Sequence, residues 1–215
     1  MKTTIGEAEW AAMLCGAIAE VKAGHQRLSA LDSTCGDGDH GTTMVRAANL
    51  LEKCVGESSC KSLQNFLNDV AWALLGLDGG ATGPLLGSFF LGISEAVELR
   101  TELDAQSLAM CFEEGLNALA RQSRAQVGDK SMLDALVPAT QALRRAADEG
   151  QPLEDVLRAA ADAAEEGAAS TADLVAKVGR AKYLGSKTIG TPDPGATSVS
   201  LLFRGLYKGF ETLRA

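Results

Sequence analysis

Apolar residues recur at helical spacing along almost the whole chain, and this periodicity limits the fold more than any other feature. The first stripe contains Trp10, Leu14 and Ile18, and seven further stretches show the same spacing. No window alternates polar and apolar residues with period two for long enough to predict a strand. Aromatic residues make up only 5% of the chain, and alanine and leucine supply much of the apolar content. This balance favours helices over sheets, so the pattern predicts an all-α fold.

Prolines and capping residues mark where several of these helices are expected to begin. Pro84, Pro152 and Pro194 each stand at the beginning of a new stripe, and proline is favoured in the first turn of a helix. Asp129 is a candidate N-cap for the sixth helix. We therefore expect eight amphipathic helices in an antiparallel up-and-down barrel or bundle, which forms a single domain over residues 1–215.

Glycine-rich segments follow the first, third, fifth and seventh of these helices. Alternate connections of an antiparallel bundle lie at the same end, so these four loops are expected to come together. They contain the segments 31–41, 78–84, 128–132 and 179–195. The sequence therefore predicts one functional site at one end of the bundle.

Three aspartates crowd the first of these loops: Asp32, Asp37 and Asp39. Carboxylates this close repel one another unless a cation lies among them, and their oxygens are the ligands that Mg²⁺ and Ca²⁺ prefer. The loop leads directly into a helix, whose free N–H groups favour phosphate oxygens. The segment therefore predicts a metal site that helps to bind a polyphosphate, and the alternative is a solvated acidic turn.

Three better-known loop motifs do not fit this segment. The pattern G-x-G-x-x-G is present from Gly36 to Gly41, but no strand precedes it as a dinucleotide fold requires. Thr42 stands where a Walker A loop needs lysine, and Ala48 stands where a calcium-binding EF-hand loop needs glutamate.

Two other loops offer groups that suit an anionic ligand. Thr82, in the glycine-rich second loop, is a candidate hydroxyl donor at a helix start, although a tight inter-helix turn explains the loop equally well. The long irregular segment before the last helix carries Arg180, Lys182 and Lys187, which favours a cationic clamp or lid over a phosphate. A solvated basic loop is the alternative for that segment.

Composition excludes several classes of function. The net charge of −8 argues against an extended nucleic-acid or anionic membrane surface. The first residues lack the basic-then-apolar pattern of a signal peptide, and no apolar run is long enough to span a membrane, so we expect a cytoplasmic protein. The odd number of cysteines without a C-x-x-C pair fits a reducing compartment: Cys15, Cys35, Cys54, Cys60 and Cys111. No Ser-His-Asp or Cys-His set is recognisable, which argues against nucleophilic hydrolysis.

Taken together, these segments resemble the nucleotide-binding L subunit of dihydroxyacetone kinases. The resemblance rests on five motifs that come in the family's order and spacing, and it spans nearly the whole chain: residues 31–41, 79–85, 128–134, 179–185 and 193–197.

The resemblance implies an eight-helix barrel that holds ADP or ATP at one end through two Mg²⁺ ions, with Asp32, Asp37 and Asp39 as the metal ligands. The residues that it implies at the phosphates are His40, Gly41, Thr42, Thr43, Ala81 and Thr82. Those that it implies on the nucleoside side are Ser123, Ser131, Met132, Arg180, Asp193 and Pro194.

The resemblance also implies that this chain donates a phosphoryl group to a short-chain ketose. In the family, a histidine of a separate K-type subunit holds the ketose covalently, so no catalytic residue is expected here. Lys182 stands where serine is frequent and Lys187 adds a cation, which leaves dihydroxyacetone, erythrulose or another short ketose open. Also open is whether ATP exchanges freely or a phosphotransferase-system phosphocarrier recharges a bound ADP. Two alternatives remain: the nucleotide domain of a fatty-acid-kinase-like system, and an ADP-loaded regulator of a transcription activator.

Overall fold

The computed structural model describes residues 2–57 and 62–214, and within them the chain is helical, as the periodicity predicts. Cys60 lies outside the described residues, and Cys15, Cys35 and Cys111 are free thiols. None of the described helices has the length and apolar character needed to cross a membrane. The eight α-helices are α1 (Glu7–Ser33), α2 (His40–Gly56), α3 (Leu63–Leu75), α4 (Thr82–Val97), α5 (Ala105–Gln122), α6 (Leu133–Asp148), α7 (Leu153–Ser170) and α8 (Pro194–Glu211).

The helices form a closed ring in which each packs against its neighbours in sequence and α8 returns to α1. Neighbouring helices run in opposite directions. Gln106, near the start of α5, donates a hydrogen bond to the carbonyl of Ala147 near the end of α6, at 2.8 Å. Two turns further along α5, Glu113 pairs with Arg144 of α6 at 2.7 Å. The prediction of an antiparallel all-α assembly is therefore confirmed.

Aromatic side chains fill the interior of this ring. The ring centroid of Phe112 lies 6.0 Å from that of Trp10, 5.7 Å from that of Phe89 and 5.7 Å from that of Phe203. These four residues belong to α5, α1, α4 and α8, so one cluster joins helices from different sides of the ring. Such offset and edge-to-face pairs add to the stabilisation that comes from burying the rings.

Proline positions predict two of the three helix starts correctly. Pro194 is the first residue of α8, and Pro152 is the N-cap of α7. The predicted start at Pro84 is wrong, because α4 begins at Thr82 and Pro84 is its third residue. A proline at that position is tolerated since the first four N–H groups of a helix have no partner within the helix.

A close approach between α1 and α8 generates a stability prediction. A Cβ atom added at Gly205 would lie 2.3 Å from the Cα atom of Ala17, which cannot rotate away. We expect Gly205→Ala to lower the free energy of unfolding by about 1–3 kcal/mol or more, as overpacking does. Urea denaturation measures this loss. The matched control is Gly56→Ala at the end of α2, where an added Cβ meets no atom within 4 Å. An equal loss in both variants would contradict the packing explanation.

Candidate functional site

A cavity of about 470 Å³ opens at one end of the ring, and all four glycine-rich loops contribute to its wall. Its lining includes residues 35–37 of the first loop, 79–81 of the second, 123–125 of the third and 178–181 of the fourth. This arrangement agrees with the expectation that the loops after odd-numbered helices come together.

The three aspartates of the first loop converge at this cavity. Carboxylate oxygens of Asp32, Asp37 and Asp39 lie within 4.8 Å of one another. Asp32 belongs to the last turn of α1, and Asp39 is the N-cap of α2. The turn between them is so tight that a Cβ at Gly36 would lie 2.3 Å from Oδ1 of Asp32. A side chain at position 36 would therefore push the Asp32 carboxylate away from its present position.

These oxygens fit a hard divalent cation. Mg²⁺ and Ca²⁺ bind carboxylate oxygens at about 2.0–2.6 Å, so oxygens this close to one another can share bound ions after small adjustments. In the free chain Arg180 forms an ion pair with Asp37 and offsets part of the repulsion among the carboxylates. An ion that binds the Oδ2 atom of Asp37 therefore displaces the guanidinium.

His40 links the start of α2 to the start of α8. Its backbone N–H donates to Oδ2 of Asp32 at 3.2 Å, and its ring Nε2 lies 2.6 Å from Oγ of Ser198. The Ser198 hydroxyl donates its only proton to the carbonyl of Pro194 at 2.9 Å, so His40 Nε2 is the donor in the histidine–serine bond. Burial lowers the pKa of His40, although the charge of Asp32 opposes the shift. The ring is therefore neutral at neutral pH and serves to position the two helix starts.

Most of the residues that the resemblance implies lie on the cavity wall. Gly41 and Thr42 do not: Gly41 is buried in α2 and Thr42 is exposed. Their role at the phosphates stays a prediction. The implied nucleotide residues that line the cavity are His40, Thr43, Ala81, Thr82, Ser123, Ser131, Met132, Arg180, Asp193 and Pro194.

Lys130 is a cavity residue to which sequence reasoning assigned no role. It is only 4% exposed, and its φ of 61° places it in the left-handed region, which residues other than glycine rarely adopt. Its ammonium donates to the carbonyl of Thr191 at 2.6 Å and to that of Thr171. Burial lowers the pKa of Lys130, while the charge of Asp193 opposes that shift. This lysine therefore ties the third loop to both ends of the segment between α7 and α8.

Asp134 also went unassigned, and its carboxylate organises the turn that precedes α6. The buried carboxylate of Asp134 accepts hydrogen bonds from the N–H groups of Gly128 at 2.5 Å and Ser131 at 2.7 Å. The prediction that Asp129 caps α6 is wrong. Its carboxylate accepts from the N–H of Gln126 at 2.9 Å and pairs with Lys177 at 3.2 Å. Asp134 therefore fixes the turn before α6, and Asp129 ties that turn to the fourth loop.

The three cations of the fourth loop do not act as one group. Arg180 lines the cavity, whereas Lys182 and Lys187 do not. The ammonium of Lys182 lies 4.9 Å from the centre of the Tyr183 ring. A clamp on a ligand in this cavity is therefore supported for Arg180 alone.

The carboxyl group of Asp193 generates a pH prediction. It caps α8 by accepting the N–H of Ala196 at 2.7 Å. Burial raises its pKa from 3.8 to about 6, although hydrogen bonds and the charge of Lys130 oppose the shift. Because this pKa is higher in the folded chain than in the unfolded one, the stability that the group contributes is full below about pH 4 and is lost as the pH rises through about 6.

We expect the difference in unfolding free energy between the wild type and Asp193→Asn to fall between these two pH values. Asparagine keeps the cap and removes the titration. Urea denaturation at a series of pH values measures the difference, and a constant value would show that Asp193 titrates at its ordinary pKa.

Comparison with known proteins places these features in a family. Residues 34–208 match the model of the DAK2 domain. The chain is 35% identical over 190 residues to the ADP-binding subunit DhaL of the PEP-dependent dihydroxyacetone kinase of Escherichia coli, which covers 88% of this chain and 90% of that protein. It is 36% identical to the D-erythrulose kinase of Mycolicibacterium smegmatis over 83% of this chain, but it spans only 31% of that longer protein.

A solved structure extends the similarity to three dimensions. The dihydroxyacetone kinase of C. freundii in complex with AMP-PNP and Mg²⁺ superposes with a TM-score of 0.73 at 28% identity. The match covers 94% of this chain and 34% of that one. Because the DAK2 model matches most of the sequence and the curated relatives exceed 30% identity, the chain belongs to the DAK2 domain family.

Proposed function

We propose that this chain is the nucleotide-binding, phosphoryl-donor subunit of a dihydroxyacetone-type kinase. The observation that carries the proposal is the convergence of Asp32, Asp37 and Asp39 at a cavity formed by four loops at one end of the ring. The names of the relatives support it. Two relatives that this chain matches over most of their length are named as ADP-binding subunits of such kinases. In this proposal residues 1–215 act as one nucleotide-binding domain.

In the proposed complex the three aspartates hold two Mg²⁺ ions, and the helix starts beside them receive the phosphates. The N-termini of α2 and α4 reach the cavity at His40 and Thr82. The N–H of His40 donates to Asp32 in the free chain, so it has to leave that carboxylate to meet a phosphate. Bound Mg²⁺ would neutralise the charge that develops on the transferred phosphoryl group. Gly41, Thr42, Thr43 and Ala81 complete the proposed phosphate site, while the nucleoside lies against Ser123, Ser131, Met132, Asp193 and Pro194.

Arg180 has a further role in this proposal. Its guanidinium pairs with Asp37 in the free chain and lines the same cavity. Once cations occupy the carboxylates, the guanidinium becomes available to the phosphates, where a planar fork of donors suits phosphate oxygens. The chain then orients the donor and supplies charge, which is most of what phosphoryl transfer requires.

The acceptor is proposed to come from a separate K-type subunit. His40 lines the cavity, but its Nε2 is engaged with Ser198, and the exposed His25 bonds through Nδ1 to the carbonyl of Lys22. Neither ring is placed to trap a ketone in the cavity.

We further propose a phosphotransferase-system phosphocarrier as the source of the phosphoryl group, because relatives in Escherichia coli and Listeria innocua are named PEP-dependent. The acceptor in this proposal is a short ketose such as dihydroxyacetone or erythrulose.

The metal ligands provide the first test. In the described part of the chain, the Asp39 carboxylate takes part in no hydrogen bond or ion pair, so Asp39→Asn removes charge without breaking a contact of the free chain. We expect this change to weaken MgADP binding by about 1–3 kcal/mol. Isothermal calorimetry with and without EDTA measures the effect. The control is Asp162→Asn on the exposed surface of α7, which should bind MgADP as the wild type does.

An equal affinity in Asp39→Asn, Asp162→Asn and the wild type would place the metal elsewhere. An affinity for ADP that does not change when EDTA is added would exclude a metal-dependent site altogether.

The proposed separation of phosphoryl donor and acceptor between two subunits provides the second test. We expect the purified chain with MgATP and dihydroxyacetone or erythrulose to form no sugar phosphate, because nothing in its cavity presents an acceptor. Adding a K-type subunit should restore product. A coupled assay for sugar phosphate, run with each component omitted in turn, measures this. Robust product formation by the chain alone would contradict the donor-half function.

A further inference from the structure

Large apolar side chains that remain exposed are concentrated beside the cavity. Among the described residues most of them lie in the third and fourth loops: Val127, Val175, Tyr183, Leu184 and Ile189. Tyr183 is 83% exposed. The N–H of Lys177 donates to the carbonyl of Asp129 at 3.1 Å, so the two loops are joined. We call the surface formed by Val127 and residues 175–189 the basic rim.

The basic rim is positively charged in a chain that is negative overall. Residues 174–192 contain four basic side chains and no acidic one, whereas the whole chain has a net charge of −8. Two of the four are already paired, Lys177 with Asp129 and Arg180 with Asp37. In the part of the chain that the structure describes, Lys182 and Lys187 have no carboxylate within ion-pair distance. Two uncompensated ammonium groups therefore stand beside the exposed apolar side chains.

The nucleotide cavity does not account for these residues. Val178 and Arg180 belong to its wall, but Lys182, Tyr183 and Lys187 follow just outside it. Exposed apolar side chains beside a tyrosine suit the centre of a protein interface, and charged side chains such as Lys182 and Lys187 suit its polar edge. The position of the rim at the border of the cavity means that whatever covers it also comes close to the bound nucleotide.

We propose that the basic rim is the docking surface for the subunit that presents the phosphoryl acceptor, and that it contacts an acidic surface of that subunit with an apolar centre. The inference rests on the proposed function and adds to it the surface and the charge of the partner. Lys182 and Lys187 steer the acidic surface onto the rim, and Tyr183 and Leu184 become buried in the contact. A complex formed here brings the acceptor to the opening of the cavity, where in-line transfer requires it.

The test measures the equilibrium Kd between the MgADP-loaded chain and a separately purified K-type subunit. The measurement is made at about 50 mM and about 500 mM salt, because the higher concentration strongly screens the attraction between charges on the two surfaces. The double variant Lys182→Glu/Lys187→Glu should bind the subunit at least about tenfold more weakly at low salt and should lose most of the salt dependence. The matched control, Lys53→Glu/Arg145→Glu, makes the same change of charge near the ends of α2 and α6, away from the cavity.

MgADP affinity separates this inference from the proposed function. It should be equal in both double variants and in the wild type, because none of the four residues lines the cavity. Equal affinity of the two double variants for the K-type subunit would overturn the docking surface and leave the donor function intact. A wild-type chain that fails to bind the subunit overturns the docking surface as well, and a chain that fails to bind MgADP overturns the proposed function.

A membrane is the other surface that a basic rim could meet. Vesicles containing phosphatidylserine provide this arm of the experiment. A lipid contact would replace the proposal if two results were obtained together. The wild type, but not the Lys182→Glu/Lys187→Glu variant, would sediment with such vesicles, and both proteins would bind the K-type subunit equally. We expect no sedimentation of either protein, because the negative net charge of the chain opposes approach to an anionic bilayer.

Discussion

The close packing of α1 against α8 determines where every part of the candidate site lies. Gly16, Gly205 and Gly209 let the two backbones approach so closely that a Cβ at any of them would overlap backbone atoms of the other helix. This contact closes the ring between the first and the last helix. The end of α1, which carries Asp32, is thereby brought beside the start of α8. The bond between His40 and Ser198, 158 residues apart, follows from this closure.

Charge compensation organises the cavity that the closed ring creates. Asp37 is neutralised by Arg180 across 143 residues of sequence, and Lys130 stands near Asp193 while its ammonium bonds to two backbone carbonyls. A buried or crowded charge is costly unless it is paired or hydrogen-bonded, so each of these contacts holds two segments in place. The four loops therefore keep a defined arrangement although most of their residues belong to no α-helix.

Sequence periodicity predicts the helices because burial of an apolar stripe leaves a local and repeated signal. The antiparallel order then places the four loops at one end, and the aspartates stand out because three carboxylates so close in sequence require an explanation. Lys130 and Ser198 could not be found in this way. A loop lysine is usually exposed, and only the meeting of three segments buries this one. The start of α4 is misjudged for a related reason, because proline is allowed anywhere in the first turn and does not fix the first residue.

Arg180 connects the metal ligands to the basic rim, since it pairs with Asp37 and belongs to the segment that carries Lys182 and Tyr183. A cation that takes Oδ2 of Asp37 as a ligand releases Arg180 and with it a contact that holds this segment against the first loop. Linkage then runs in both directions. If the released segment binds a partner more tightly, the partner must strengthen metal binding by the same factor. If the released segment binds the partner less tightly, the partner must weaken metal binding by that factor. In the proposed complex, any effect of Arg180 release on partner affinity therefore couples donor loading to partner docking, through the pair between Arg180 and Asp37.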